Sequence, residues 1–180
     1  MDEEQSSPIH DFIVGIFDYT VIVDNYMTFV VGVGNTISLV ALSLLFGGLL
    51  AVPLAVLRAE RHPILSPLIW SYTYVFRGTP LLIQTFLIYY GLGQFEVVRE
   101  SFAWPVLREA YWCALIAFAL NSAAYTTEII RGAIEATPHG EVEAARAMGM
   151  SQTKVMRRIG LPSAVRRALP AYSNQGSFML

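Results

Sequence analysis

No charged side chain interrupts the chain from Asn25 to Leu57, a run longer than the roughly 20 residues a helix needs to cross the hydrocarbon core of a bilayer. A second uncharged run covers Pro63 to Phe95, broken only by Arg77, and a third covers Ala110 to Thr127. After Arg167 the chain is apolar again but stops at Leu180, 13 residues on, short of a span by the same measure. The pattern predicts an all-α, polytopic transmembrane helix bundle with three spans and a fourth helix begun. The first 24 residues lack the positive start, the unbroken apolar stretch and the small-residue site of a cleavable signal, so the first span is expected to stay.

Polar residues inside the runs are the candidates for chemistry. Gly78-Thr79-Pro80 is expected to kink or interrupt the second span, and broken backbone in a membrane is tolerated where protein or a water-filled path satisfies it. Such breaks often mark a translocation route, to which Thr79 and Gln84 could offer polar atoms; the alternative is a proline kink that helps packing. In the third span Asn121, Tyr125 and Glu128 fall at i, i+4 and i+7 on one helical face. Glu128 could attract a cationic solute there, or pair with Arg131 three residues on. Arg77 is too costly to face lipid and is expected to snorkel to the cytoplasmic interface, the alternative being a pair within the bundle. Gly32, Gly34, Ser38, Ser43, Gly47 and Gly48 along the first span permit close helix contact, and Gly32, Gly34 and Gly48 could equally reflect ordinary membrane-helix composition.

Composition agrees with this reading: 54% of the 180 residues are hydrophobic and only 14% charged, which points away from a soluble domain. Charge orients the chain. Before Arg58 there are six acidic residues (Asp2, Glu3, Glu4, Asp11, Asp18 and Asp24) and no Lys or Arg, so nothing holds the N-terminus in the cytoplasm. Arg58 and Arg61 follow the first span, and seven basic residues from Arg131 to Arg167 follow the third, marking that last loop as cytoplasmic. Residues 1–24 are thus expected to be an extracytoplasmic segment and 25–180 one transmembrane domain.

Several function classes fall away. The only lysine, Lys154, follows Thr153, so no phosphate loop of the form GxxxxGK[ST] exists. No nucleophile–base–acid set, His/Asp/Glu metal cluster or basic face interleaved with aromatics is visible, so catalytic residues, a metal and nucleic acid are not expected. The one cysteine, Cys113, reads as a small core residue. His10, His62 and His139 lie far apart in the chain and are expected to have no special role.

The charged loop, about residues 135–163, has its own pattern. Thr137-Pro138 reads as a helix start, with Thr137 as N-cap and Pro138 at the first helical position. The helix would run to Met148, Gly149 would take a left-handed conformation, and Ser151 would cap a second helix from Gln152 to about Ile159. Leu161-Pro162 is expected to stop it. Val142, Ala145 and Met148 share a face, as do Val155, Met156 and Ile159. Two such helices suit docking into a groove of a soluble partner or lying on anionic lipid.

The order Glu143-Ala144-Ala145, three residues, Gly149, nine residues, Ile159, one residue, Leu161-Pro162 resembles the cytoplasmic-loop signature of permease subunits of binding-protein-dependent ABC importers. In that family the loop seats in a cleft of the ATP-hydrolysing subunit. The resemblance therefore implies that Glu143, Ala144, Ala145, Gly149, Ile159, Leu161 and Pro162 couple to an ATPase, with the loop's small and apolar faces presented to it. Further stretches, FRGTPLLIQTFLIYYGLGQF (Phe76 to Phe95), YWCALIAFALNSAAYTTEIIRGAI (Tyr111 to Ile134) and LPAYSN (Leu169 to Asn174), are similar to polar amino-acid permeases. The likeness is greatest to the branch serving histidine, lysine, arginine, ornithine and opines, and it covers roughly residues 26 to 174.

It implies a non-enzymatic transport subunit of a bacterial inner membrane, with a periplasmic N-terminus. The implied partners are a second permease subunit, identical or related, two ATPase subunits carrying ATP and magnesium, a periplasmic binding protein and an amino-acid substrate. Relatives continue beyond YSNE through a completed fourth helix and usually a fifth, whereas this chain reads YSNQGSFML, with Gln175 in place of the acid. The expectation is a chain truncated within the fourth helix, either a fragment of a working permease or a transport-inactive subunit that still docks the ATPase. An ATP-independent secondary transporter would have more spans and internal repeats.

Overall fold

A computed structural model of the chain describes residues 25–177; the expected extracytoplasmic segment 1–24 lies outside the described residues. By its internal contacts the chain forms two units, one ending at Ser38 and one beginning at Leu39. All regular structure among the described residues is helical. The first helix, α1 (Tyr26–Ala59), contains Pro53 and matches the first uncharged run. The third run becomes α6 (Ala110–Glu135). Among the described residues these two are the helices long and apolar enough to cross a membrane.

The second run is divided. Helix α2 (Leu65–Gly78) stops at Thr79, which is extended with φ −114° and ψ 142°. A new helix, α3 (Leu81–Phe86), starts after an extended Pro80 and continues as a π-helical turn over Leu87–Gly91. The expected interruption is therefore present, and neither half spans by itself, since 14 residues of α2 reach only about 21 Å at 1.5 Å per residue. Two short helices follow, α4 (Glu96–Arg99) and α5 (Trp104–Leu107).

Helix α6 is the axis of the second unit. It packs against α2, α3, α5 and the last helix, α9 (Leu161–Ser177). Close approach depends on small residues. A Cβ on Gly47 would stand 2.7 Å from Cβ of Ser122 in α6, and one on Gly48 would stand 2.8 Å from the Tyr172 hydroxyl in α9, a hydroxyl that donates to the Leu44 carbonyl. Further along, Ala51 and Ala55 of α1, Ile130 and Ile134 of α6, Met156, and Ala164 and Ala168 of α9 form one buried cluster.

Between α6 and α9 lie α7 (His139–Ala147) and α8 (Gln152–Val155), the latter running into a π-helical turn over Met156–Gly160. Two expectations are corrected here. Pro138 takes the N-cap position in extended conformation, with φ −56° and ψ 127°, while Thr137 is buried and its hydroxyl accepts a bond from Arg167 Nη2 at 2.9 Å, so it caps nothing. Nor does Leu161-Pro162 end the helix. Leu161 is helical and its N–H donates five residues back to Met156; this widened turn directly precedes Pro162, where a missing N–H must be absorbed. The chain then runs helical to Ser177.

Candidate functional site

Two regions carry the candidate residues. The first is built on the break between α2 and α3. In an unbroken helix the Phe76 carbonyl would accept from the N–H of residue 80, but that residue is proline and has none. Two side-chain amides fill the place: Gln84 Nε2 donates to the Phe76 carbonyl at 2.8 Å and Asn121 Nδ2 at 3.1 Å. Gln84 Nε2 also lies within bonding distance of the Thr79 carbonyl at 3.0 Å and Thr79 Oγ1 at 2.7 Å, and Asn121 Nδ2 donates to Gln84 Oε1 at 3.1 Å. The Tyr125 hydroxyl donates to the Arg77 carbonyl at 3.2 Å. Gln84 and Asn121 are both buried. Thr79, Gln84, Asn121 and Tyr125, picked from two distant stretches of sequence, are thus brought together around one gap in the backbone.

Beside the break opens a cavity of about 640 Å³, walled among others by Arg77, Thr79, Asn121, Tyr125, Ile129 and Gln175. Arg77 holds its guanidinium 5.3 Å from the centre of the Tyr125 ring, a distance at which the ring face attracts a cation. Among the described residues it is the one charged member of the cavity wall. Gln175 comes from α9, with its Oε1 3.0 Å from the Thr126 hydroxyl that donates to it.

Glu128 makes the pairing with Arg131 that its spacing allowed. It does not reach that cavity wall. Its carboxylate accepts from Arg58 Nε at 2.7 Å, from the Thr73 hydroxyl at 3.2 Å and from Arg131 Nε at 2.8 Å. Arg131 in turn donates to Glu135 at 2.6 Å. Asn121 and Glu128 share a helical stripe, but seven residues along α6 is about 10 Å at 1.5 Å per residue, far enough to place them at different depths. The link to Arg131 was legible from spacing; Arg58, 70 residues away in sequence, was not.

The second region is the loop. Gly149 has φ +79°. Its N–H donates to Arg146 and that of Met150 to Ala145, the paired bonds of a helix end in which glycine avoids the Cβ penalty of the left-handed region. Arg146 Nη2 donates to Gln152 Oε1 at 2.6 Å across the turn. The expected apolar faces are divided between the chain's own core and its surface. Ala145, Val155 and Met156 are buried within this chain, whereas Glu143, Ala144, Ala147 and Gly149 are exposed and Met148 is 74% exposed. Hydrophobic periodicity locates a stripe, and this stripe serves the chain's own core. Ile159 is half-buried, as is Leu161, and Pro162 is exposed.

Known proteins bear on both regions. A family model described as the inner membrane component of binding-protein-dependent transport systems matches residues 43–180. The chain is 46% identical over 164 residues to an octopine transport system permease protein of Rhizobium radiobacter, covering 91% of this chain and 67% of the relative. It is 47% identical over 150 residues to a histidine/lysine/arginine/ornithine transport system permease protein of Escherichia coli K12, covering 83% of this chain and 63% of the relative. It thus spans about two thirds of the length of these relatives. A crystal structure of an amino acid ABC transporter with histidines aligns with a TM-score of 0.75 at 34% identity, over 89% of this chain and 71% of the other.

Proposed function

Since the chain belongs to the family of inner membrane components of binding-protein-dependent transport systems, we propose that it is the permease subunit of an ATP-driven importer for polar, basic amino acids: arginine, ornithine, lysine, histidine or an opine. The observation that carries this reading is the loop. Its outer surface offers Glu143, Ala144 and Met148 to a partner, and behind that surface Met156 belongs to the same buried cluster as α1, α6 and α9. A push on the loop therefore reaches the spanning helices through packed side chains rather than through flexible chain.

In this reading the loop docks an ATPase subunit that holds ATP and magnesium, a second permease subunit completes the pathway, and a periplasmic binding protein delivers the solute to the side where the N-terminus lies. Closure of the ATPases rocks α1, α6 and α9, and the cavity beside the break exchanges outward for inward access. Thr79, Asn121 and Tyr125 supply its polar wall while Gln84 keeps the break open. With Glu128 held by Arg58 and Arg131, the charge that the described residues bring to the wall is that of Arg77. A bound amino acid is then drawn by its carboxylate, and its cationic end is read by another subunit.

The test is radiolabelled arginine uptake by proteoliposomes holding this chain, its partner permease, the ATPase and the binding protein. ATP-dependent uptake that Gly149→Asp reduces at least about tenfold is expected, since a side chain there must enter the left-handed region. Uptake that proceeds without the ATPase would overturn the reading.

A further inference from the structure

At the end of the bundle nearest the loop, a second and wholly separate cavity of about 450 Å³ lies between α1, α2 and α6. Arg58, Arg61, His62, Ser66, Arg131 and Glu135 line it, together with Pro63 and Pro67. Arg58 and Arg131 already share Glu128, and Arg131 also holds Glu135. Three guanidiniums thus meet two carboxylates, and among the described residues no carboxylate pairs with Arg61.

Arg61 is also the described non-glycine residue with positive φ, at +53°. Its N–H donates to Arg58 and that of His62 to Leu57. This is the same helix-end motif that Gly149 makes after α7, and its left-handed position normally belongs to glycine. Here it carries an arginine, and the side chain lines the cavity. Backbone strain at a cavity wall points to a function for the residue held there.

With the Glu135 carboxylate held by Arg131, the remaining groups of the wall present donors or positive potential. His62 Nδ1 lies 3.4 Å and 3.3 Å from the backbone N–H donors of Ile64 and Leu65, which leaves the ring proton on Nε2 and makes that nitrogen a donor. Ser66 and Pro67 are in the first turn of α2, where the helix dipole is positive. Flanking the polar wall, Ile64 and Leu68 are 67% and 63% exposed, a surface suited to acyl chains rather than to water.

We propose that this cavity binds the phosphate headgroup of an anionic phospholipid, with Arg61 as its principal unpaired cation and Arg58, Arg131 and His62 around it. The inference rests on the reading of this end of the bundle as the cytoplasmic one, where the leaflet is anionic and basic pockets between spanning helices take such headgroups. Occupation would brace α1 and α2 against α6 beside the loop.

The experiment is native mass spectrometry of the purified full chain in detergent, offered phosphatidylglycerol or phosphatidylcholine. Preferential retention of phosphatidylglycerol is expected, reduced about tenfold in Arg61→Gln, as loss of one charge-assisted contact would do, and unchanged in Arg108→Gln, a residue exposed at the far end of α6. Arg61→Gly serves as the second variant. It removes the charge while relieving the backbone, so it is expected to lose the lipid without losing thermal stability. Displacement of the lipid by millimolar inorganic phosphate would assign recognition to the phosphate alone; resistance to phosphate with loss in Arg61→Gln would assign it to the whole lipid, and either supports the site. Equal retention of the two lipids, or unchanged retention in both Arg61 variants, overturns it. The readout needs neither ATPase nor uptake, so an inactive transporter and an empty lipid site remain distinguishable.

Discussion

Asn121 reaches from the middle of α6 to the carbonyl of Phe76, 3.1 Å away in α2, and supplies there the hydrogen that Pro80 cannot. A break in a spanning helix exposes polar backbone that lipid cannot satisfy, and this contact, with that of Gln84, satisfies it from within the protein. The two amides also bond each other, so each orients the other. Asn121→Leu is expected to destabilise the folded chain by about 1–3 kcal/mol, the usual cost of leaving a buried acceptor short of a partner. Asn121→Asp should lose less, provided its carboxyl is protonated and donates. Thermal unfolding in detergent measures both, and equal stability of Asn121→Leu and the parent would remove the pinning role.

The contact of α1 with α6 hangs on Gly47. Any Cβ there meets the Ser122 side chain at 2.7 Å and the Ala119 carbonyl oxygen at 3.0 Å, and the second of these belongs to backbone that cannot swing away. Gly47→Ala should therefore destabilise by about 1–3 kcal/mol through overpacking even though alanine is the better helix former. Gly132 in the same α6 has nothing within 4 Å of its missing Cβ, so Gly132→Ala should be neutral or stabilising by up to about 1 kcal/mol. Opposite signs in paired melting curves are the expected result.

Much of this was legible beforehand, and for definite reasons. Uncharged runs located α1 and α6 because the bilayer imposes a length on any crossing segment. Gly78-Thr79-Pro80 located the break because proline lacks an N–H, and Gly149 located the hinge because a left-handed residue favours glycine. Long-range partners left no mark in the sequence pattern: Tyr125 beside Arg77 and Arg58 beside Glu128 both lie dozens of residues away. In the loop, the apolar stripe of Ala145, Val155 and Met156 predicts a covered face, and periodicity does not say by what it is covered; here it is the chain's own core. Pro162 predicts a stop, and the π turn that lets the helix continue through it leaves no mark in the pattern.

Glu128→Gln separates a charge that guides a solute from a charge that holds helices. The carboxylate bridges Arg58 and Arg131 and accepts from Thr73, so the amide would leave two guanidiniums facing each other with a weaker acceptor between them. A loss of about 2–4 kcal/mol is expected, near the range for breaking one partner of a largely buried pair. Because Glu128 is absent from the wall of the larger cavity, arginine and a neutral amino acid should lose uptake equally. A loss confined to arginine would return Glu128 to the solute path.

Gly149 and Arg146 set the angle between the two loop helices by different means, and variants can tell them apart. Gly149→Ala places a Cβ in the left-handed region at φ +79°, costing about 1–2 kcal/mol. There is open space around it, so the penalty is backbone strain alone and the hinge should shift rather than collapse. Arg146→Gln leaves the backbone untouched and removes the bond to Gln152 across the turn, an exposed contact worth no more than about 1 kcal/mol. If the loop transmits force by its shape, Gly149→Ala should lower ATP-coupled uptake severalfold while ATPase binding to the exposed Glu143 surface persists, and Arg146→Gln should do little to either. Pull-down of the ATPase alongside uptake reads the two quantities separately. Loss of binding in Gly149→Ala in proportion to uptake would mean that the angle serves docking and not transmission.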